Sequence, residues 1–181
     1  TTPAAPAESV QADSQAAETP AADAADNADN TAAGGVFKIG GTAPLTGAAA
    51  IYGNAVKNGA QIAVDEINAE GGAVQFDLKY EDDENDPEKA VSAYNALKDW
   101  GVQLSLGSVT TKPCEATSTD HFADRIFSLT PSASSTAVTE GKDNVFQMCF
   151  ADPNQGTASA DYISEKQLGT KIAVIYRNDD V

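Results

Sequence analysis

Residues Ile39–Gly72 read IGGTAPLTGAAAIYGNAVKNGAQIAVDEINAEGG. A short apolar entry, Val36-Phe37-Lys38-Ile39, leads into a loop of Gly, Ala and Thr. Beyond it, Val56, Ala60, Ala63, Val64 and Ile67 recur at helical rather than strand spacing. Gly71-Gly72 then come after Asn68 and Glu70, where a helix ends on a residue with positive φ. The unit is strand, small-residue loop, helix. In an open α/β sheet such a loop lies at the carboxyl end of a strand, where ligands bind.

The chain repeats this theme onward. Val74–Tyr80 alternates apolar and polar residues and predicts a strand, leading to an acidic loop, Glu81–Asp86. Asp86-Pro87-Glu88 predicts a helix start: Asp as N-cap, Pro at the first helical position, Glu in the first turn. Ala90, Val91, Tyr94, Leu97 and Trp100 mark its core side, and Gly101 its end. Val102–Leu106 and Arg125–Leu129 read as further strands, with a helix beginning near Pro113 and Glu115 between them. Val145–Phe150 reads as an extended crossing segment. Asp152-Pro153-Asn154 starts a helix carrying Ala158, Tyr162 and Ile163, and Lys171–Tyr176 reads as a last strand. Strands alternating with helices imply right-handed parallel β-α-β units, so the fold class is α/β.

Composition narrows the partners. The 181 residues carry a formal charge of −16, which repels nucleic acid and anionic membrane surfaces, and the hydrophobic fraction of 41% suits a domain with a real core. Residues 1–35 hold six acids, no Lys or Arg and no aromatic side chain. Such a segment cannot offset its ordering entropy by burial and is expected to be a disordered linker, either a tether or a dispensable tail. No basic start precedes an apolar segment, so no signal peptide is read. Cys114 and Cys149 allow one disulfide or two thiols.

The chemistry lies in three loops after three strands: Gly41–Ile51, Gly107–Thr111 and Thr130–Thr136. Each offers backbone N–H groups near a helix start, and hydroxyls that both donate and accept. Such loops suit a small anion, a carboxylate as well as a phosphate, although Ser and Thr also serve there simply as caps. Enzyme signatures are poor. His121 lies in a polar stretch and is expected at the surface. The acids Glu81, Asp82, Asp83, Glu84 and Asp86 lack the alternate spacing and central Gly of a calcium loop and are expected to form a solvated turn. No phosphate-binding or dinucleotide fingerprint and no catalytic constellation is present, and no cofactor or metal is expected.

An ordered series of residues carries a family resemblance. Ile39–Gly47, Tyr52-Gly53, Gly59-Ala60, Ala63–Gly72, Tyr80–Asp83, Asp86–Ala90, Gly107, Leu129–Ala133 and Asp152–Gly156 resemble the leucine/isoleucine/valine-binding type of periplasmic binding protein. The resemblance covers nearly everything from residue 37 to 181. It implies a type I periplasmic-binding-protein fold with two lobes closing on a ligand by hinge motion. It assigns residues 36–150 to the N-terminal α/β lobe and residues 151–181 to the start of the second, with the remainder of the family's length beyond Val181. The implied function is extracytoplasmic capture of an amino acid, of branched-chain or similar aliphatic type, for an ABC importer with membrane permease components. A ligand sensor on the same fold is the alternative, and an α/β enzyme would need a nucleophile and base not found here. The resemblance also implies lipid anchoring of the native protein, with residues 1–35 as the linker. By position, Thr111 or its neighbour Thr110 corresponds to the family Ser that holds the ligand's α-carboxylate, and Ser132 and Ala133 fall where the backbone meets the amino-acid head. Ser134 corresponds to a family Thr on the carboxylate and ammonium, and Tyr52 to a Tyr near the ligand side chain. The family disulfide does not carry over, because Asn85 stands in place of one cysteine.

Overall fold

The structure, a computed structural model, describes residues 35–176. The linker expected over residues 1–35 lies, but for Gly35, outside them. In chain order the elements are β1 (Val36–Ala43), α1 (Ala50–Ala69), β2 (Gln75–Asp82), α2 (Pro87–Trp100), β3 (Leu104–Ser108), α3 (Thr111–Ala123), β4 (Phe127–Thr130), β5 (Val145–Gln147) and α4 (Asp152–Glu165). The strands form one sheet in the order β2-β1-β3-β4-β5, and every pairing is parallel. The chain steps from β1 outward to β2, then returns past β1 to β3 and continues through β4 to β5. With right-handed crossovers this reversal puts α1 on one face and α2 and α3 on the other. Helix α1 accordingly lies on β1 and β2, while α2 and α3 pack against each other.

Local chemistry explains the helix ends. The Asp86 carboxylate accepts the N–H groups of Glu88 and Lys89 ahead of Pro87, and Gly101 closes α2 at φ 90°. Gly71 succeeds α1 at φ 68°. Tyr94 and Leu97 of α2 are fully buried, as Ala90 is, and Ala93 rather than Val91 completes that face.

The structure departs from the expectations in several places. Strand β1 runs on through Gly40 and Gly41 instead of ending at Ile39. A Cβ on Gly40 would stand 2.7 Å from Val102, and one on Gly41 would stand 2.5 Å from the Tyr80 ring, so these glycines admit neighbours rather than form a loop. Strands β2 and β3 each end two residues later than their patterns suggest. Val145–Gln147 joins the sheet beside β4 rather than merely crossing it. Lys171–Tyr176 forms no strand: a strand exists through bonds to a neighbour, and no described strand lies beside this segment. Helix α1 buries only Gly53 and Val64 of its length, α4 buries nothing, and Phe127 and Phe146 stack at 5.3 Å while half-exposed.

Candidate ligand-binding site

Strand β1 lies between β2 and β3, and the chain leaves it first to one side and then to the other. At such a switch point the loops beyond the strand ends diverge and leave a crevice. Here they enclose a cavity of about 540 Å³, within the range of about 300–1,000 Å³ common for small-molecule sites. The segment after β1 contributes Ala48, Ala49 and Tyr52, and that after β2 contributes Glu84 and Asn85. Val109, Thr110 and Thr111 come from the end of β3, and Ser132 and Ser134 from the loop after β4.

Side-chain carboxylates build the first two segments. Asp82 accepts the N–H of Leu45 at 2.8 Å and of Glu84 at 2.9 Å, and the Thr46 hydroxyl at 2.6 Å. Burial would raise its carboxyl, but these donors outweigh it and hold the group below the usual range. Asp83 accepts the Asn85 N–H at 2.9 Å. Each Asp thus bonds the N–H two residues on, which supports the left-handed backbone of Glu84 (φ 49°) and Asn85 (φ 62°). The acidic run is therefore not a solvated turn throughout, since Asp83 is completely buried. Among the described residues no group of side chains with metal-ligand character gathers there or elsewhere.

Hydroxyls hold the other two segments. Thr117 Oγ1 donates to the Pro113 carbonyl at 3.1 Å, so it accepts from Ser108 Oγ at 3.0 Å, which in turn accepts from Thr42 Oγ1 at 2.5 Å. The Thr130 hydroxyl donates to the Ser108 carbonyl at 2.7 Å and accepts the Ala133 N–H at 3.2 Å, binding the β3 and β4 loops together. Ser135 Oγ donates to Glu115 at 2.6 Å.

The site offers hydrogen-bond donors without a lining cation. Neither Lys nor Arg lines it among the described residues, and Glu84 is paired with Lys89 at 2.6 Å. What faces the cavity is the amino end of α3, whose first N–H groups have no intrahelical partner, and a set of hydroxyls. Thr110 occupies the N-cap position without capping, and its buried Oγ1, like Asn85 Oδ1, finds no partner within the protein. A carboxylate with hydrogen-bond donors nearby suits this lining.

Of the residues singled out from the sequence, Tyr52, Thr110, Thr111, Ser132 and Ser134 come together around the cavity. Ala133 does not: its side chain is in the core with Cys114, Val138 and Val145, and its carbonyl accepts from Gln147 at 2.6 Å. Ala48, Ala49 and Val109 join the lining from loops singled out in the sequence though not themselves named, whereas Glu84 and Asn85 are not legible, because an acidic turn carries no signal for a cavity. Cys114 and Cys149 are free thiols on either side of Ala133, Cys149 donating to its carbonyl at 3.2 Å. Burial pushes the Cys114 thiol up to about 11. His121 is not at the surface but 2% exposed, against the Tyr94 ring.

Comparison with known proteins adds findings of three kinds: a family match, curated relatives and a solved structure. Residues 36–181 match the family described as Periplasmic binding protein. The chain is 37% identical over 141 residues to Leu/Ile/Val-binding protein homolog 3 of Brucella melitensis, covering 76% of this chain and 38% of the relative. It is 36% identical over 140 residues to Leu/Ile/Val-binding protein BraC3 of Rhizobium johnstonii, with the same coverage. Among solved structures, the branched-chain amino acid transporter substrate binding protein LivJ of Streptococcus pneumoniae, in complex with isoleucine, superposes with a TM-score of 0.67 at 32% identity. That alignment covers 73% of this chain and 39% of that one, so the chain spans about two fifths of the length of the proteins it resembles.

Proposed function

The chain belongs to the periplasmic binding protein family, and we propose that it is the ligand-capturing component of an ABC importer, taking an aliphatic, branched-chain amino acid outside the cytoplasm. The observation that carries this reading is the cavity at the switch point, lined by the α3 amino end at Thr110 and Thr111 and by Ser132 and Ser134, with no Lys or Arg among its described lining residues. On this reading the lining is a cradle for an α-carboxylate, and Tyr52, which also lines the cavity, would meet the ligand's apolar side chain. Binding rather than catalysis fits, since no nucleophile and base are paired there. The function of the whole protein, including delivery to membrane permease components, belongs to the proposal. So does the reading of residues 1–35 as a tether to a lipid-modified terminus; an intact mass of the protein from its own cells without an N-terminal lipid would remove that part.

The test is a thermal melt against the twenty amino acids, then calorimetry. A ligand at a hundred times its Kd adds about 2.7 kcal/mol, a shift of several degrees. Isoleucine, leucine or valine is expected to give it. Ser134→Ala is expected to weaken binding by about 1.5–3 kcal/mol, roughly ten- to hundredfold, with the unliganded melt unchanged. No shift with any aliphatic amino acid in a cooperatively melting protein sinks the reading.

A further inference from the structure

We propose that His121, neutral and with its hydrogen on Nδ1, is a positioning residue for the ligand loop Val109–Thr111, acting through Ser105 and the β-bulge at Gly107. Its binding consequences rest on the amino-acid reading above; its geometry does not. His121 lies in the last turn of α3, with its ring centroid 4.1 Å from that of Tyr94. Nδ1 is 2.7 Å from the Thr117 carbonyl, which can only accept, so Nδ1 carries the hydrogen. Nε2 is 2.7 Å from Ser105 Oγ. In the neutral Nδ1–H ring Nε2 can only accept, so the Ser105 hydroxyl donates to it while its oxygen accepts the Gly107 N–H at 2.9 Å. Each hydrogen in the chain Gly107–Ser105–His121–Thr117 then has an acceptor. A protonated imidazole would aim a second donor at Ser105 Oγ and displace the serine hydrogen.

The element held in this way is the one that aims the site. Strand β3 pairs with β1 as Gly40 to Ser105 and then Thr42 to Ser108, so Leu106 and Gly107 together stand opposite Gly41. Such a bulge bends the strand and re-aims the residues beyond it. Gly107 sits at φ 62°, and a Cβ there would stand 3.1 Å from Thr130 Cα. The turn it makes brings Ser108 to Thr42 and Thr117 and delivers Val109, Thr110 and Thr111 to the cavity. His121 itself does not line the cavity. Burial holds its imidazole below the ordinary range, against the Thr117 carbonyl and the carboxylates Asp120 and Asp124, while Lys98 works with burial. Asp124 is itself engaged by the Tyr94 hydroxyl at 3.0 Å and by Lys98 at 2.8 Å.

His121 is the only histidine of the chain, so nitrogen NMR reads one imidazole. At pH 7 the Nδ1–H tautomer is expected, titrating below an ordinary histidine, and saturating L-isoleucine should lower that titration further, because the bound loop requires the neutral ring. His121→Phe keeps a ring against Tyr94 but removes the acceptor, and should raise the isoleucine Kd about tenfold, the scale of one buried hydrogen bond. His121→Gln offers an amide oxygen near the Nε2 position and should recover most of that loss. Ser105→Ala breaks the same link from its other side, should His121→Phe not fold. An Nε2–H tautomer, a titration unmoved by isoleucine that binds, or wild-type affinity in both His121→Phe and Ser105→Ala overturns the proposal. If isoleucine does not bind the wild-type protein, the amino-acid reading fails, and ligand-free hydrogen exchange decides instead. The Gly107 amide should then exchange about tenfold faster in His121→Phe; unchanged protection overturns the proposal.

Discussion

Gly53→Ala is expected to lower the melting midpoint by several degrees and to remove the shift expected with isoleucine under the proposed function. Gly53 lies in the first turn of α1, where a Cβ would run into the Pro44 carbonyl oxygen and stand 2.7 Å from its carbon and 3.0 Å from the Pro44 nitrogen. Ordinary contacts begin near 3.4 Å, and the obstacle is backbone, which cannot rotate out of the way. Two effects oppose each other. Alanine gains about 1 kcal/mol over glycine in a helix interior, whereas forcing an extra methyl into a packed contact costs typically about 1–3 kcal/mol and occasionally more. With the whole Pro44 peptide in the path, the clash wins. Its relief must move either the start of α1, which carries Ala49 and Tyr52 to the cavity, or Pro44 and the Leu45 and Thr46 groups bonded to Asp82. Either movement disturbs the site. Gly59→Ala is the matched control on the same helix: nothing lies within 4 Å of its Cβ position, and it should gain about 0.5–1 kcal/mol. A Gly53→Ala protein that melts at or above wild type would show that α1 leaves Pro44 without cost, and that the first loop is not held by this close approach.

What the sequence made legible was local chemistry and period. Asp86-Pro87-Glu88 and Gly101 announce the ends of α2 because a cap is settled by neighbours in the chain, and the structure uses them as expected. The hydroxyl-rich segments after β3 and β4 can be placed together from the sequence because a parallel sheet sends such segments to one edge, and their Thr110, Thr111, Ser132 and Ser134 line one cavity there. Tertiary causes stay hidden. Gly40 and Gly41 look like a loop until Leu97, Val102 and Tyr80 are known to fill the space beside them. His121 looks like a surface residue because α3 turns Thr117, Ser118 and His121 inward, so its buried face has no apolar period to find. Glu84 and Asn85 cannot be placed at the cavity from sequence because their positive φ is imposed by Asp82 and Asp83 and not by glycine. The family resemblance implies a binding role for Ala133, yet its N–H and carbonyl both serve the loop itself.

Asp83 carries the second large effect, one that depends on pH. Its side chain is completely buried; Oδ1 accepts from Asn85, and Oδ2 has no hydrogen-bond partner. Burial is the main cause that pushes its carboxyl up to about 6, with the nearby charges of Asp82 and Asp86 adding to it and the Asn85 N–H and the neighbouring Thr42 hydroxyl, which is bonded to Ser108 rather than to the carboxyl, opposing it. In the unfolded chain an aspartate titrates near 3.8. Between these values the folded state binds a proton that the unfolded state does not, so folding stability falls as pH rises from about 4 through about 6 and then levels. Two pK units correspond to about 2–3 kcal/mol. Asp83→Asn keeps the acceptor for Asn85 and cannot ionise. At pH 4 it should match the wild-type protein closely, and by pH 7.5 it should be more stable by about 2–3 kcal/mol in urea unfolding. Asp82, Asp124 and Asp143 have lowered carboxyls and pull stability the opposite way, being lost as pH falls. Asp124 and Asp143 are distant, common to both proteins and cancel in the difference; Asp82, whose charge couples to Asp83, contributes to it, so the difference reads Asp83 together with its coupling to Asp82. A difference that stays flat from pH 4 to 7.5 would mean that the buried carboxyl is ionised throughout, and that a donor reaches Oδ2 in solution. The rising difference instead means that the loop holding Glu84 and Asn85 at the cavity is kept at neutral pH by a charge the interior does not favour. Stability would then be given up where Asn85 is held beside the ligand cavity.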